Sequence, residues 1–495
     1  MNKHLGTDVP PLRVGAWTLF ALLALPVSAS TVYVAPSGND ANPGTPAAPF
    51  ASLTKAVKAA GSNGEVRAAV GRYEASFVLS GGVRVRGGFR PPAWSTPSPI
   101  PVSLREAGTL PSGAVDATVL SGSSSPSVLV PAHAAGALEN VIVVGPKLAA
   151  SRPGTGASIA VAVGPSGDLS LDHVKVFAGD GAPGLRGTDG AAGSGICSAG
   201  GQGGTSEERH VDDTYCESHA GTAGSTVQSG GSGGAGGNAG STKCKDNIGA
   251  GQVGSGASGS PGMVGPSGTA PDVPPVDWGA FGWPELEVHW SMGRLPASGN
   301  GGPGGGGGGG GAGGSKFQAW YWCDAEILLG TPGAPGGEGG CGGHGAEAGG
   351  TGGGSFGVVA GPSSRLAYDM LFIEQGVGGV GGAGGNGGAG SLGKSAPWRP
   401  AQPRKNTCLA NHFTPGRGGD GGRGGNGGFG GGGLGGDGGP SVGIVVDHSA
   451  DATRAGVLSV GGGRGGKGGT GGKAGSVASP VGRSGAVSAE VILIP

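Results

Sequence analysis

Short apolar runs punctuated by turn residues dominate the hydropathy pattern. They stand at 31–35, 65–69, 83–89, 118–120, 128–130, 141–144, 159–163 and 169–177. Within 169–177, Leu169 and Leu171 fall on one face and Ser170 and Asp172 on the other, the alternation of a half-buried strand. One segment breaks the pattern. At 49–61, Leu53, Ala56, Val57 and Ala60 follow helical spacing, with Ser52 placed as an N-cap and Gly61 as the C′ residue. Strands this short cannot bury a face alone, so they must stack. A solenoid whose first turn is covered by the helix satisfies this, and a β-sandwich of the same strands is the competing architecture.

The pattern repeats. SIAVAVGPSGDLSLDHVKVFAGDG at 158–181 returns without a gap as SFGVVAGPSSRLAYDMLFIEQGVG at 355–378, and a looser copy starts at Ser441. Each copy runs into a glycine tract. Glycine stands at every third position in 181–193 and 256–268, and the triplet becomes Gly-Gly-X in 376–390, 416–428 and 461–472. Period three matches an extended helix with three residues per turn and no internal hydrogen bonds. Each X then falls on one edge and leaves two bare glycine edges, along which neighbouring tracts can bond backbone to backbone. A free collagen triple helix is disfavoured by the few triplets and scarce proline. Composition alone favours disorder, but the kept period and the repeated return to strands predict ordered polyglycine-II bundles.

The predicted fold is therefore mainly β: a right-handed parallel β-helix with a short N-terminal capping helix, interrupted by Gly-rich bundles. The segments are an export signal at 1–29, the β-helix at 30–177, an insert with Cys and aromatic islands at 178–354, a return at 355–374, a second insert at 375–440, and terminal strands with a short Gly-rich loop at 441–495.

The order YVAPSGNDANPGT, PFASLTKAVKAA, VRAAVGRY and VRVRGGF resembles the N-terminal module of bacterial secreted, pectate-lyase-like β-helix proteins. The resemblance covers 31–88 closely and the strands to 177 loosely. It implies the solenoid and no particular activity, because that fold carries lyases, hydrolases, adhesins and inert surface proteins. At the level of the triplet the tracts are similar to those of PE-PGRS-type surface proteins, whose defining N-terminal domain has no counterpart here.

Composition sharpens this picture. Glycine supplies 122 of 495 residues, aromatics are 5% and charged residues 13%, which argues against one conventional core for a chain of this size. The net charge of −1 argues against a nucleic-acid groove or a polybasic membrane patch. Lys3, His4 and Arg13 precede an apolar run at 14–25, and Val27-Ser28-Ala29 has small-residue cleavage chemistry, the order of an export signal. No later stretch is apolar for long enough to span a bilayer. Six cysteines, Cys197, Cys216, Cys244, Cys323, Cys341 and Cys408, all lie in or between the tracts, and export favours their pairing as disulfides.

Candidate chemistry is sparse. Residues 388–395 satisfy the Walker A pattern, but a glycine tract precedes it and Pro397 follows, where a phosphate loop needs a strand and a helix. Cys216/His219, Cys341/His344 and Cys408/His412 have metal-ligand spacing, with disulfides preferred. Asp420 and Asp437 lack the aliphatic partners of calcium-binding repeats. No cofactor and no metal are predicted. Asp172 and Lys175 are the nearest candidates for polysaccharide cleavage. Trp278, Trp283, Trp290, Trp320 and Trp322 form an aromatic island, read first as a mini-core and second as a sugar-stacking platform. An ice-binding face is disfavoured because threonine is sparse at X. The function expected is an exported structural or adhesive surface protein. The alternatives are a carbohydrate-binding protein using the Trp island, with surface or extracellular polysaccharide as partner, and a polysaccharide lyase or hydrolase.

Overall fold

A computed structural model describes residues 30–95, 97–110, 115–148, 156–200, 202, 334–395 and 420–485, with short strands at 281–282, 287–288, 316–320, 323–328, 487–488 and 492–494. After β1 (Thr31–Val34) comes α1 (Leu53–Ala60). The predicted caps are in place: the Ser52 hydroxyl accepts from the Lys55 N–H at 3.3 Å, and Gly61 takes φ 70°. Each turn of chain then lays a strand on each of three faces. The first is β2 (Glu65–Ala69), β3 (Gly71–Tyr73) and β4 (Phe77–Val78). The second is β5 (Val83–Phe89), β6 (Thr118–Ser121) and β7 (Val128–Val130). The third is β8 (Ala135–Glu139), β9 (Ile142–Val144) and β10 (Ser158–Val163). β11 (Asp168–Phe177) spans two faces and β12 (Ser355–Ala360) supplies the third. β13 (Arg365–Val377) and β14 (Ser441–Asp447) repeat that plan. β15 (Asp451–Arg454), β16 (Leu458–Arg464), β17 (Val487–Ser488) and β18 (Ile492–Ile494) make the last turn.

Neighbouring turns pair in parallel, so the fold is a parallel β-helix. Its core is built of ladders. Val66, Val85, Leu138, Leu171 and Tyr368 stand in register on the first face. Leu120, Val143, Val176, Ile373 and Val460 do so on the second. Val128, Val161, Val358 and Ile444 do so on the third. These side chains are fully or almost fully buried, apart from Val460 in the last turn. Corners are kept by single left-handed residues at equivalent places, Asn140, His173 and Met370 at φ 54°, 51° and 51°. The repeat read from sequence is a register: Ser158 pairs with Ser355, and Ser355 with Ser441.

The glycine tracts leave from one corner. Each interrupts the path from the second face to the third, after β11, β13 and β16 in three successive turns. Outgoing tracts I (181–193), III (378–394) and V (465–473) form one layer, and returning tracts II (337–353), IV (422–439) and VI (479–485) form the other. Turns of the solenoid stand about 4.8 Å apart, so tracts leaving successive turns start at hydrogen-bonding distance. Bonds then recur every third residue. Tract I donates to III from Gly181, Gly184, Gly187, Gly190 and Gly193, at 2.7–2.9 Å. Tract III donates to V from Gly378, Gly381, Gly384 and Gly387, each at 2.8 Å. Between layers, Gly379, Gly382, Gly385 and Gly388 of tract III bond to tract II at 2.8–3.0 Å. The tracts are thus one two-layered polyglycine-II body, each layer continuing one face of the solenoid.

Candidate functional site

Threefold geometry decides which side chains this body displays. The rise is roughly 3.1 Å per residue, so successive X residues stand about 9 Å apart along a tract. On the outer side of the first layer three rows lie side by side. Tract I contributes Pro183, Arg186, Asp189 and Ala192, with Asp180 just before it. Tract III contributes Val380, Ala383, Asn386, Ala389 and Leu392, continuing the line of Val377. Tract V contributes Lys467, Thr470 and Lys473, continuing the line of Arg464. The register is set by backbone bonds: Gly181 donates to the Val377 carbonyl, and Gly378 to the Arg464 carbonyl.

Each X residue in these rows except Pro183 has an N–H outside the backbone ladders, and some are satisfied by a neighbour's side chain. The Asp180 carboxylate accepts from the Val377 N–H at 2.7 Å, and Asp189 from the Asn386 N–H at 2.7 Å. Asn386 passes the pattern on, accepting from the Lys473 N–H at 2.9 Å. Asp189 also pairs with Arg186 at 2.6 Å. The acids of the first row are therefore engaged. The middle row is apolar, with Val377 42%, Val380 49% and Leu392 70% exposed. Arg464, Lys467 and Lys473 are exposed, and within the described residues none of them makes an ion pair.

The residues singled out in the sequence are scattered. Asp172 is exposed at the end of the first face, 2.6 Å from the Nδ1 of His173. Lys175 lies beyond the left-handed turn, on the second face. Residues 98–110, including α2 (Val102–Arg105), and 115–117 pack over that face, and Ile100 and Leu104 join Val119, Ile142 and Phe177 in an outer cluster. Lys175 is only 3% exposed; its ammonium sits 3.7 Å from Glu374 and 4.8 Å from the Phe177 ring centre. Burial holds its pKa below the ordinary lysine range, against the opposing pull of Glu374. Asp172 and Lys175 thus face different surroundings and do not form one cleft.

Cys197 and Cys341 are joined, with Cα atoms 4.8 Å apart, and tie the far ends of tracts I and II. That bond removes the thiolate from the Cys341/His344 pair, and the described residues hold no group of three metal-ligating side chains. The Walker-like stretch is tract III itself, and Lys394 pairs with Glu338 at 3.3 Å. Asp437 is buried and accepts a hydrogen bond from the Arg483 N–H. Trp320 and Cys323 lie in an antiparallel pair of strands, Lys316–Trp320 and Cys323–Leu328. Trp278, Trp283, Trp290, Trp322, Cys216, Cys244 and Cys408 lie outside the described residues.

One groove of about 820 Å³ opens between α1 and the free edge of β4. Ser62, Ser76, Ser80 and Ser124 line it together with Lys58, Val78 and Leu129. It holds no carboxylate, so it lacks an acid–base pair. Among the described residues no helix is long and apolar enough to cross a membrane.

Residues 36–79, which contain α1 and the first turn, match a family model described as a protein of unknown function, DUF1565. No curated protein sequence matches the chain. Among solved structures the chain is similar to a rhamnogalacturonan lyase, at 13% identity and a TM-score of 0.20, covering 32% of this chain and 40% of that one. It is also similar to a GH136 lacto-N-biosidase from Eubacterium ramulus, at 15% identity and a TM-score of 0.19, covering 30% of this chain and 27% of that one. The chain therefore spans less than half the length of either protein.

Proposed function

We propose that this is an exported, non-catalytic scaffold with a structural or adhesive role outside the cell. The observation that carries the reading is the insertion of glycine tracts at one corner in three successive turns, which builds a two-layered body held by backbone bonds. Backbone bonding carries the bundle, so X side chains other than acceptors such as Asp189 and Asn386 are free of structural duty, and a contact surface can vary there at little cost to the fold. The tract body thus acts as a stiff carrier of rows of side chains, and the β-helix acts as its base. The Cys197–Cys341 bond supports export, since such bonds persist in oxidising compartments, and the N-terminal residues have the order of an export signal.

The test is a panel of polysaccharides presented to the purified protein, reading both retention and cleavage products, with protease shaving of intact cells to place the chain. Retention without cleavage and accessibility on the cell surface are expected. Any cleavage product dependent on the protein overturns the non-catalytic reading.

A further inference from the structure

We infer that the outer face of the first tract layer binds a linear carboxylated polysaccharide, lying along tracts III and V; this rests on the adhesive reading above. Two rows with one period carry the inference. Arg464, Lys467 and Lys473 stand on a single line at spacings of about 9 and 18 Å from the threefold rise. Beside them, a tract spacing away, run Val377, Val380 and Ala383 in the same register, fixed by the bonds from Gly378 and Gly381 to the Arg464 and Lys467 carbonyls.

The charge is local, because the chain as a whole has a net charge of −1. It is also unspent. The facing acids are Asp180 and Asp189, which hold the backbone N–H groups of Val377 and Asn386, and Asp189 already pairs with Arg186. Glu374, at the base of the rows, faces the buried Lys175. The three cations have no acid of their own among the described residues.

A partner that satisfies both rows must carry an anion at each period and an apolar face between anions. An extended uronate chain does this. Its ring C–H faces suit the valine row, and carboxylates on alternate sugars fall on one side, at a repeat of the same order as the X spacing. Nucleic acid fits less well. Its phosphates recur roughly every 3.4 Å per strand along a duplex, and these rows offer no aromatic side chain for a base to stack on. Long cationic side chains also adjust to a flexible polymer at little cost, which favours many weak, additive contacts.

The experiment uses the full chain and three probes: polygalacturonate, its methyl ester and single-stranded DNA. Polygalacturonate is expected to be retained with an affinity that falls as salt rises, and the methyl ester, with the same rings and no charge, to bind at least tenfold more weakly. Replacing Arg464→Gln, Lys467→Gln and Lys473→Gln together is expected to lower affinity at least tenfold and to flatten the salt dependence. Arg186→Gln with Arg423→Gln, which removes two cations from other rows, is expected to change affinity less than twofold. Equal binding of the ester, no effect of the triple replacement in a chain with unchanged circular dichroism, or tighter binding of DNA would each overturn the assignment. Cleavage of polygalacturonate accompanied by the expected row dependence would sink the non-catalytic reading and leave this surface standing.

Discussion

A glycine in these tracts is defined by what would replace its hydrogen. A Cβ at Gly382 would meet the Leu185 carbonyl oxygen at 1.9 Å, and one at Gly436 the Gly350 oxygen at 2.0 Å. Backbone cannot give way there without losing its own hydrogen bonds. Gly382→Ala is therefore expected to destabilise by about 1–3 kcal/mol or more, while Ala383→Ser, at the neighbouring X position, leaves the thermal midpoint within error. Thermal unfolding of the two single variants checks this, and equal midpoints would contradict the packing. At the X positions the informative residues are Asp and Asn. Asp189→Ala strips the Asn386 N–H of its acceptor and is expected to speed hydrogen exchange at that amide without slowing refolding. Sequence period made the tracts legible, because glycine at two of every three positions admits few other readings. The acceptors at Asp180, Asp189 and Asn386 were hidden, since their partners lie far away in sequence and depend on register.

Two elements of the solenoid, α1 at its start and β11 in its middle, carry titratable groups of opposite effect. Asp40 caps α1: its carboxylate accepts from the Ser52 hydroxyl at 2.7 Å and from the Ser52 and Ala51 N–H groups at 2.8 and 2.9 Å. These bonds, the hydroxyl's foremost, hold its pKa below the usual 3.8. A carboxyl depressed in the folded state stabilises it above the unfolded value and loses that contribution as pH falls through the folded one. The stability gap between the wild type and Asp40→Asn should accordingly be full at neutral pH and shrink as pH falls below 3.8, a trend that paired denaturant titrations measure. Lys175 behaves in the reverse sense. Its folded pKa lies below 10.5, so its burial weakens the fold while it is charged and the penalty fades as pH rises towards the unfolded value. Replacing the pair by Lys175→Met and Glu374→Gln should raise stability by about 1 kcal/mol at pH 7, with a smaller gain at pH 10. Helix α1 was readable from Leu53, Ala56, Val57 and Ala60. The cover by residues 98–110 and 115–117 was not, because Ile100 and Leu104 sit in a short stretch without periodic apolar spacing, whose partners, Ile142 and Phe177, look like ordinary strand residues.

For the whole molecule, the solenoid and the tract body are joined by bonds between residues nearly 200 positions apart, such as that from Val377 to Asp180 with a separation of 197. The Cys197–Cys341 bond closes a separation of 144 residues at the far end of the same body. Reduction is expected to admit protease at the distal ends of tracts I and II while leaving the β-helix resistant. Timed digestion with and without reductant tests this, and simultaneous loss of both parts would show that the two do not open separately. The repeat at 158, 355 and 441 announced the stacked returns, yet it did not reveal that every insertion shares a corner. Corner identity depends on which face each strand occupies, and that emerges only once the turns are counted in three dimensions.

The shared corner has a consequence for how such a molecule changes over generations. The width of the tract body is set by how many consecutive turns carry an insertion, whereas its length is set by how many triplets each insertion holds. Duplicating one turn would add a member to each layer, and gaining one Gly-Gly-X in matched tracts would extend the lattice without disturbing the register of what already exists. The two dimensions can therefore be tuned separately by small in-frame changes, and substitutions at X redraw the surface independently of both.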